Sequence, residues 1–96
     1  MLIYVDIDGT ICQTAPQCDY SLAIPIAEHI NKINALYDQG HTIVYWTARG
    51  TITKIDWREI TEQQFKKWGV KYHSLLFGKP PYDMLIDDRA QWPFTK

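Results

Sequence analysis

The chain has 96 residues, a formal net charge of −1 and an apolar fraction of 46%. Residues 1–96 are too few for two separate cores, so we expect one domain. Because the charge is nearly balanced and no basic run occurs, general electrostatic binding to nucleic acid is not expected. Nothing resembles a signal peptide, and no apolar run is long enough for a membrane span, so we expect no membrane association and a cytoplasmic location.

The pattern at residues 2–10 is the most informative in the chain. Four apolar residues at 2–5 predict a strand buried on both faces of a parallel sheet. Asp6 and Asp8 follow at its carboxyl end, with Gly9 and Thr10 next. A charged carboxylate at the end of a buried strand costs free energy unless a cation or hydrogen-bond donors pair with it. The carboxyl edge of an open α/β sheet is also where ligands bind. Taken alone, the same pattern equally fits a solvated junction between a strand and a loop.

A helix is predicted after a stretch without periodicity. Residues 11–24 show no sustained period, so we expect a loop or short flap inserted there. Pro25 suits the first turn of a helix, where its missing amide costs nothing, and Gly40 suits the end of that helix. The apolar residues with helical spacing are Ile26, Ile30, Ile33 and Tyr37.

The second half repeats the alternation of strand and helix. Residues 42–46 predict a buried strand, and residues 47–50 a loop after it. Asp56 and Glu59 form a possible capping box for a helix that ends at Gly69. Residues 72–77 and 84–86 predict the third and fourth strands. Strands separated by helices indicate an α/β fold with a parallel sheet and right-handed crossovers.

Polar residues follow every predicted strand and should meet at one edge of the sheet. Four carboxylates in one crevice raise each other's pKa, so they need a cation. Oxygen ligands favour Mg²⁺, and Lys79 can add an ammonium group. Cys12 and Cys18 show no metal-site or disulfide spacing, and we interpret them as free thiols. The strand-end residues are Asp6, Asp8, Thr47, Lys79, Asp87 and Asp88.

These residues, in this order, resemble the four motifs of the haloacid dehalogenase superfamily of phosphohydrolases. A closer resemblance is to its small members associated with capsular polysaccharide biosynthesis. It rests on residues 46–50, 56–58, 68–69 and 78–80. The resemblance implies a three-layer Rossmann-like sandwich around a central parallel sheet. No stretch is long enough for the cap domain that most relatives use to select substrates.

The resemblance also implies catalytic roles. Asp6 would be the nucleophile that forms an aspartyl-phosphate. Asp8 would protonate the leaving alcohol as a general acid and then act as the base for water. Thr47 would donate to phosphoryl oxygens, and Lys79 would offset negative charge. Turn chemistry at a strand end is the structural alternative for Thr47.

The same resemblance implies a metal site and a phosphate site. Its Mg²⁺ ligands would be Asp6, Asp8, Asp87 and Asp88, with Asp8 also using its backbone carbonyl. Asp87 has the alternative of capping a turn, and Asp88 that of pairing with Arg89. Arg49 suits bidentate anion binding, but a surface arginine is just as ordinary. The residues at the substrate phosphate would be Gly9, Thr10, Ala48 and Arg49.

The function expected from the resemblance is Mg²⁺-dependent hydrolysis of a small sugar- or polyol-phosphate. A nucleotide or a macromolecular phosphate is the alternative substrate. Three other functions fit the sequence less well. A receiver domain uses similar residues in the reverse order, and a phosphomutase would need a cap. A non-catalytic scaffold would not need every motif residue, and here every one is present. Without a cap, Tyr20 or Leu22 of the flap is expected to cover the substrate. Trp92 and Phe94 either pack on the core or contact another subunit, and we expect a homo-oligomer, a dimer or tetramer.

Overall fold

A computed structural model describes residues 1–14 and 19–94 of the chain. A single turn of 3₁₀ helix spans Tyr20–Leu22. Neither α-helix in these residues is long and apolar enough to cross a membrane. The strands and α-helices are β1 (Leu2–Val5), β2 (Cys12–Gln13), β3 (Ile24–Pro25), α1 (Ala27–Asp38), β4 (Thr42–Trp46), α2 (Arg58–Trp68) and β5 (Ser74–Leu76).

The main sheet is parallel and has the order β1-β4-β5. Leu2 lies opposite Thr42 where β1 meets β4, and Val44 lies opposite Ser74 where β4 meets β5. The predicted α/β fold with a parallel sheet is therefore confirmed. β2 and β3 form a separate antiparallel pair within and just after the segment predicted as a flap; residues 15–18 of that segment, with Cys18, lie outside the described residues.

The core lies on one face of this sheet. Ile3 and Val5 share a face with their register partners Ile43 and Tyr45, and this face contributes Val5, Ile43 and Tyr45 to the buried cluster. Both crossovers step the same way across the sheet, so right-handed connections place α1 and α2 together on that face. The side chains that the helices add to the cluster are Ile30, Ile33 and Phe65. Among the described residues, no second helix layer covers the other face.

The helix boundaries differ in detail from the sequence prediction. Pro25 belongs to β3, and α1 begins two residues later because the extended residue Ile26 is its N-cap. The predicted capping box is wrong: the N-cap of α2 is Trp57, and no side chain caps it. Asp56 instead accepts a hydrogen bond from the Arg58 amide at 3.0 Å. Gly69 ends α2 as expected, in the left-handed conformation with φ 71°.

The fourth strand predicted at residues 84–86 does not form. Met84, Leu85 and Ile86 are 75%, 53% and 90% exposed and belong to no strand. Two prolines precede the segment and the Tyr82 amide turns back onto the Pro80 carbonyl, so the chain bends where it would have to run down beside the sheet. The apolar run therefore stays outside the core of its own chain.

Phe94 packs on the core, which confirms one of the two alternatives for that part of the chain. It is buried and stacks on His29 with the ring centroids 3.9 Å apart. His29 in turn contacts the Thr10 carbonyl through Nδ1 at 2.7 Å. The segment from Lys79 to Phe94 is thus held at both ends.

Candidate active site

Asp6 directly follows β1, and two neighbours hold its carboxylate. Lys79 Nζ lies 3.1 Å from Oδ1, and the Thr10 hydroxyl donates to Oδ2 at 3.2 Å. The Asp6 side chain keeps 38% of its surface exposed. A carboxylate that is oriented on both oxygens and still open to solvent is arranged to receive a ligand from outside.

The ladder between β4 and β5 continues past both strands and brings Thr47 and Lys79 to the same edge. The Thr47 amide donates to the Leu76 carbonyl at 3.0 Å, and the Lys79 amide donates to the Thr47 carbonyl at 3.1 Å. The Thr47 side chain is buried, and its oxygen accepts from the Arg49 amide at 3.1 Å. Its hydroxyl hydrogen remains available to a second acceptor.

Lys79 is held in its charged form. Burial by itself lowers its pKa, but the hydrogen bond with Tyr82 and the charge and hydrogen bond of Asp6 outweigh burial, so the pKa lies above the usual value. The ammonium nitrogen also lies 5.2 Å from the ring centroid of Tyr82 and 5.8 Å from that of Trp46. Aromatic faces favour a cation at such distances.

Asp8 pairs with a different cation. Arg49 Nε and Nη2 each lie 2.9 Å from one of its two carboxylate oxygens. This is the bidentate geometry in which guanidinium and carboxylate bind most specifically. Thr14 and Cys12 also donate to Asp8 Oδ1, the thiol at 3.5 Å.

Arg49 is buried, so the alternative of a surface arginine is wrong. Its remaining donor, Nη1, bonds Thr61 Oγ1 at 3.0 Å and Gln64 Oε1 at 2.7 Å on α2. The guanidinium carbon lies 4.8 Å from the ring centroid of Tyr20. The guanidinium is therefore directed at Asp8 and held from behind, rather than presented to solvent as a free anion-binding group.

These contacts set the charges of the site. Burial raises the pKa of Asp8. The hydrogen bonds and positive charge of Arg49, together with the hydrogen bonds from Thr14 and Cys12, outweigh burial and bring this pKa below its usual value. Asp8 is therefore ionised at neutral pH. Burial and the charge of Asp8 raise the pKa of the Cys12 thiol to about 12, so Cys12 stays protonated.

Two glycines shape the loops at this edge. Gly9 has φ 83° and donates its amide to the Cys12 carbonyl at 2.8 Å, which closes the turn that carries Asp8. Gly50 has φ 79°, and a Cβ there would lie 2.2 Å from the Ile55 carbonyl oxygen. Ala48 accepts from the Thr51 amide at 2.9 Å in the same turn. Each glycine thus lets its own loop turn tightly, and at Gly50 the backbone of residue 55 approaches too closely for any side chain.

Asp87 and Asp88 do not join this group. Both are exposed, and Asp87 caps a turn by accepting the Arg89 amide at 2.9 Å. Across residues 1–14 and 19–94, no cluster of three His, Cys, Asp or Glu residues could hold a metal ion. Asp6 and the Asp8 carbonyl supply oxygens of the kind Mg²⁺ prefers, but the predicted third carboxylate is missing from the set within one copy.

A cavity of about 490 Å³ adjoins the site on the side of β5. Thr51 lines it and connects it to the site, because its hydroxyl donates to the Lys79 carbonyl at 3.0 Å. Beside this hydroxyl the cavity has three basic side chains, one carboxylate and two aromatic rings. The lining residues include Gly50, Thr51, Lys54, Trp57, Arg58 and Phe77.

The sequence analysis missed five members of the site: Thr14 and Cys12 beside Asp8, Tyr82 beside Lys79, and Thr61 and Gln64 behind Arg49. Thr61, Gln64 and Phe65 are the buried residues of α2. Two polar residues beside Phe65 on the buried face of a helix require buried partners, and this was the available signal.

Comparison with known proteins gives one related structure. No family model matches the chain, and no curated protein matches it. A crystal structure of a protein from Vibrio cholerae is 33% identical in sequence, with a TM-score of 0.84. The similarity covers 96% of this chain and 83% of that one. The chain therefore belongs to the same family as this Vibrio cholerae protein.

Proposed function

We propose that the protein is a phosphatase that hydrolyses a small phosphomonoester, a sugar- or polyol-phosphate, through an aspartyl-phosphate on Asp6. The observation that carries the proposal is the pairing of two carboxylates with two separate cations at the carboxyl edge of a parallel sheet. Lys79 contacts Asp6, and Arg49 contacts Asp8. This division fits the haloacid dehalogenase resemblance, and we propose that fold family and a cytoplasmic location with it.

Asp6 is the proposed nucleophile because it is ordered on both oxygens yet open to solvent. In the first step, one of its oxygens bonds to phosphorus while the bond from phosphorus to the substrate alcohol breaks. Lys79 and the Thr47 hydroxyl stabilise the charge on the transferring phosphoryl oxygens. In the second step, water attacks phosphorus, and Asp6 and phosphate are released.

Asp8 is the proposed general acid and general base. Its ionised form, held by Arg49, is ready to take a proton from the water of the second step. To protonate the leaving alcohol in the first step, Asp8 must first carry a proton itself. Two hydrogen bonds from Arg49 oppose this, so protonation of Asp8 has to weaken its pairing with Arg49.

Mg²⁺ is the cofactor we propose, and when bound it would neutralise charge on the phosphoryl group. Asp6 and the Asp8 carbonyl are the residues of one copy that would hold it. Because Asp87 and Asp88 are exposed, the third carboxylate predicted as a Mg²⁺ ligand is not supplied within a single copy.

The space beside the site supports the proposed substrate class. The cavity of about 490 Å³ falls within the range of small-molecule pockets, roughly 300–1,000 Å³. Its hydroxyl, cationic and aromatic groups suit a hydroxylated leaving group such as a sugar. A nucleotide or a macromolecular phosphate is the second candidate, since residues 1–14 and 19–94 form no cap over this edge.

The test is phosphate release from a panel of sugar phosphates, nucleotides and phosphopeptides, with and without Mg²⁺. Asp6→Asn keeps the size of the side chain and removes the nucleophile, so turnover should fall by several orders of magnitude. Asp38→Asn is the matched control, because Asp38 pairs with Lys71 on the exposed surface. Near-normal turnover by Asp6→Asn would overturn the proposal.

A further inference from the structure

The outer edge of β1 is an open strand edge. The Met1 carbonyl accepts from the Thr42 amide, so Ile3 and Val5 also direct their peptide groups toward β4. The peptide groups of Leu2 and Tyr4 therefore point the other way. Among the described residues no strand pairs with this edge, since β1 is the outermost strand of its sheet. Such an edge is a template for an incoming strand.

The surface beside this edge is apolar. Leu2 is 64% exposed and Tyr4 is 54% exposed, and both lie on the face that no described helix covers. Leu76, on the same face, is 41% exposed. All side chains that the three strands place on this face are uncharged. An exposed apolar patch on the order of several hundred Å² marks an interaction surface.

The apolar run at residues 84–86 is the matching element elsewhere in the chain. Its three side chains are all more than half exposed, so both sides of the segment face solvent. Within the described part of the chain, these three residues form no backbone hydrogen bond. An apolar segment whose peptide groups are unpaired can add to an open strand edge as an extra strand.

Residues 84–86 cannot pair in parallel with the outer edge of β1 in their own chain. Lys79 continues the ladder of β5 at the carboxyl end of the sheet. To run parallel to β1 on its outer side, the chain would have to descend about 13 Å and move sideways by about 14 Å, three strand spacings. Residues 80–83 span at most about 14 Å in total, and the turn at Tyr82 shortens them further.

We propose that residues 83–87 of a second copy add to the outer edge of β1 as a parallel strand, and that two copies exchange this segment in a closed dimer. The exchange gives each sheet a fourth strand and covers the apolar run. It also places the end of the incoming strand level with the end of β1, where Asp6 lies. The partner's Asp87 then joins Asp6 and Asp8, and it completes the oxygen ligands of the active site. This last step rests on the proposed function, whereas the strand exchange does not.

The exchange itself is tested by disulfide formation between co-expressed chains, in a Cys18→Ser background. One chain carries Tyr4→Cys and the other carries Leu85→Cys. We expect a covalent dimer after mild thiol oxidation, and none when Leu85→Cys is replaced by Ile52→Cys, an exposed position on another loop. When both substitutions stand in one chain, a cross-linked monomer would overturn the exchange. So would a monomeric wild-type protein in sedimentation at assay concentration.

The shared site is tested by co-expression of Asp6→Asn with Asp87→Asn. If each site takes its acids from two copies, a mixed dimer has one intact site and one with both defects. About a quarter of all sites are then intact in a 1:1 mixture, so about a quarter of wild-type activity should return. If Asp87 acts within its own chain or not at all, mixing restores nothing beyond the two separate activities, and the shared site is excluded. Absence of phosphatase activity in the wild type would refute the proposed function, and the cross-link would still decide the exchange.

Discussion

Arg49 and Asp8 form a bidentate pair, with Nε and Nη2 each 2.9 Å from a carboxylate oxygen. The guanidinium is buried and also bonds Thr61 and Gln64, whereas the Asp8 side chain keeps 24% of its surface exposed. The pair therefore orients Asp8 from the protein side and leaves its other side to solvent. Arg49 is a positioning residue in this account, since it acts on the reaction through Asp8.

Arg49→Lys should shift the acid limb of the pH–rate profile. Lysine keeps the positive charge but loses the two parallel hydrogen bonds, so the pKa of Asp8 rises toward its usual value. We expect kcat to fall by about 10- to 100-fold, with its acid limb moved to higher pH, because the step with water needs ionised Asp8. Arg89→Lys is the control, because Arg89 is exposed and does not line the cavity. A pH profile of Arg49→Lys that superimposes on the wild type would contradict the positioning role.

Lys79→Ala should lower kcat by about 10²-fold or more, the scale of losing one preorganised charged donor. The Asp6 carboxylate would then face the phosphoryl group without a compensating cation. Steady-state kinetics measure the effect, and circular dichroism checks the fold. Lys71→Ala is the matched control, since Lys71 forms an exposed ion pair with Asp38. If both alanine variants behave alike, Lys79 has no electrostatic role in catalysis.

Asp8 should make stability depend on pH in the acid range. Its pKa is lower in the folded state than in the unfolded state, whose usual value is 3.8. The resulting stabilisation is complete above the unfolded pKa and is lost as the pH falls through the folded pKa. Urea unfolding should therefore show Asp8→Asn less stable than wild type at pH 7, with a smaller difference at acid pH. A difference that stays constant or grows on acidification would argue against the pairing.

Cys12 should be unreactive in the folded protein. With the pKa raised from 9.0 to about 12, its thiolate is about 10³-fold scarcer at neutral pH than that of a free thiol. A colorimetric thiol reagent should label Cys18→Ser slowly in buffer and quickly in urea. Rapid labelling of the folded variant would show that the Asp8 pocket opens to solvent.

The sequence was sufficient for the elements whose signal is local. β1 and β4 span the predicted residues, Leu2–Val5 and Thr42–Trp46. Parallel strands then brought Asp6, Thr47 and Lys79 to one edge by topology alone. Which residue compensates each acid depends on distances across the fold, and Arg49 was left undecided because its partners on α2 are remote in sequence.

The run at residues 84–86 shows where a local pattern stops being informative. Its composition favours an extended strand, but composition does not state which edge the strand joins. Lys79 and Phe94 hold the two ends of the segment, and residues 80–83 are too short to reach the outer edge of β1 in parallel. The strand prediction was wrong for one copy, and strand exchange would place that strand in a second copy.

The central claim is that Asp6 carries the phosphoryl group, and trapping this intermediate tests it most directly. Asp8→Asn removes the base for water, so the aspartyl-phosphate should form from an activated aryl phosphate and persist. After acid quenching and proteolysis, mass spectrometry should find the phosphoryl group on the peptide that contains Asp6. No adduct on this peptide, together with undiminished turnover by Asp6→Asn, would contradict the account.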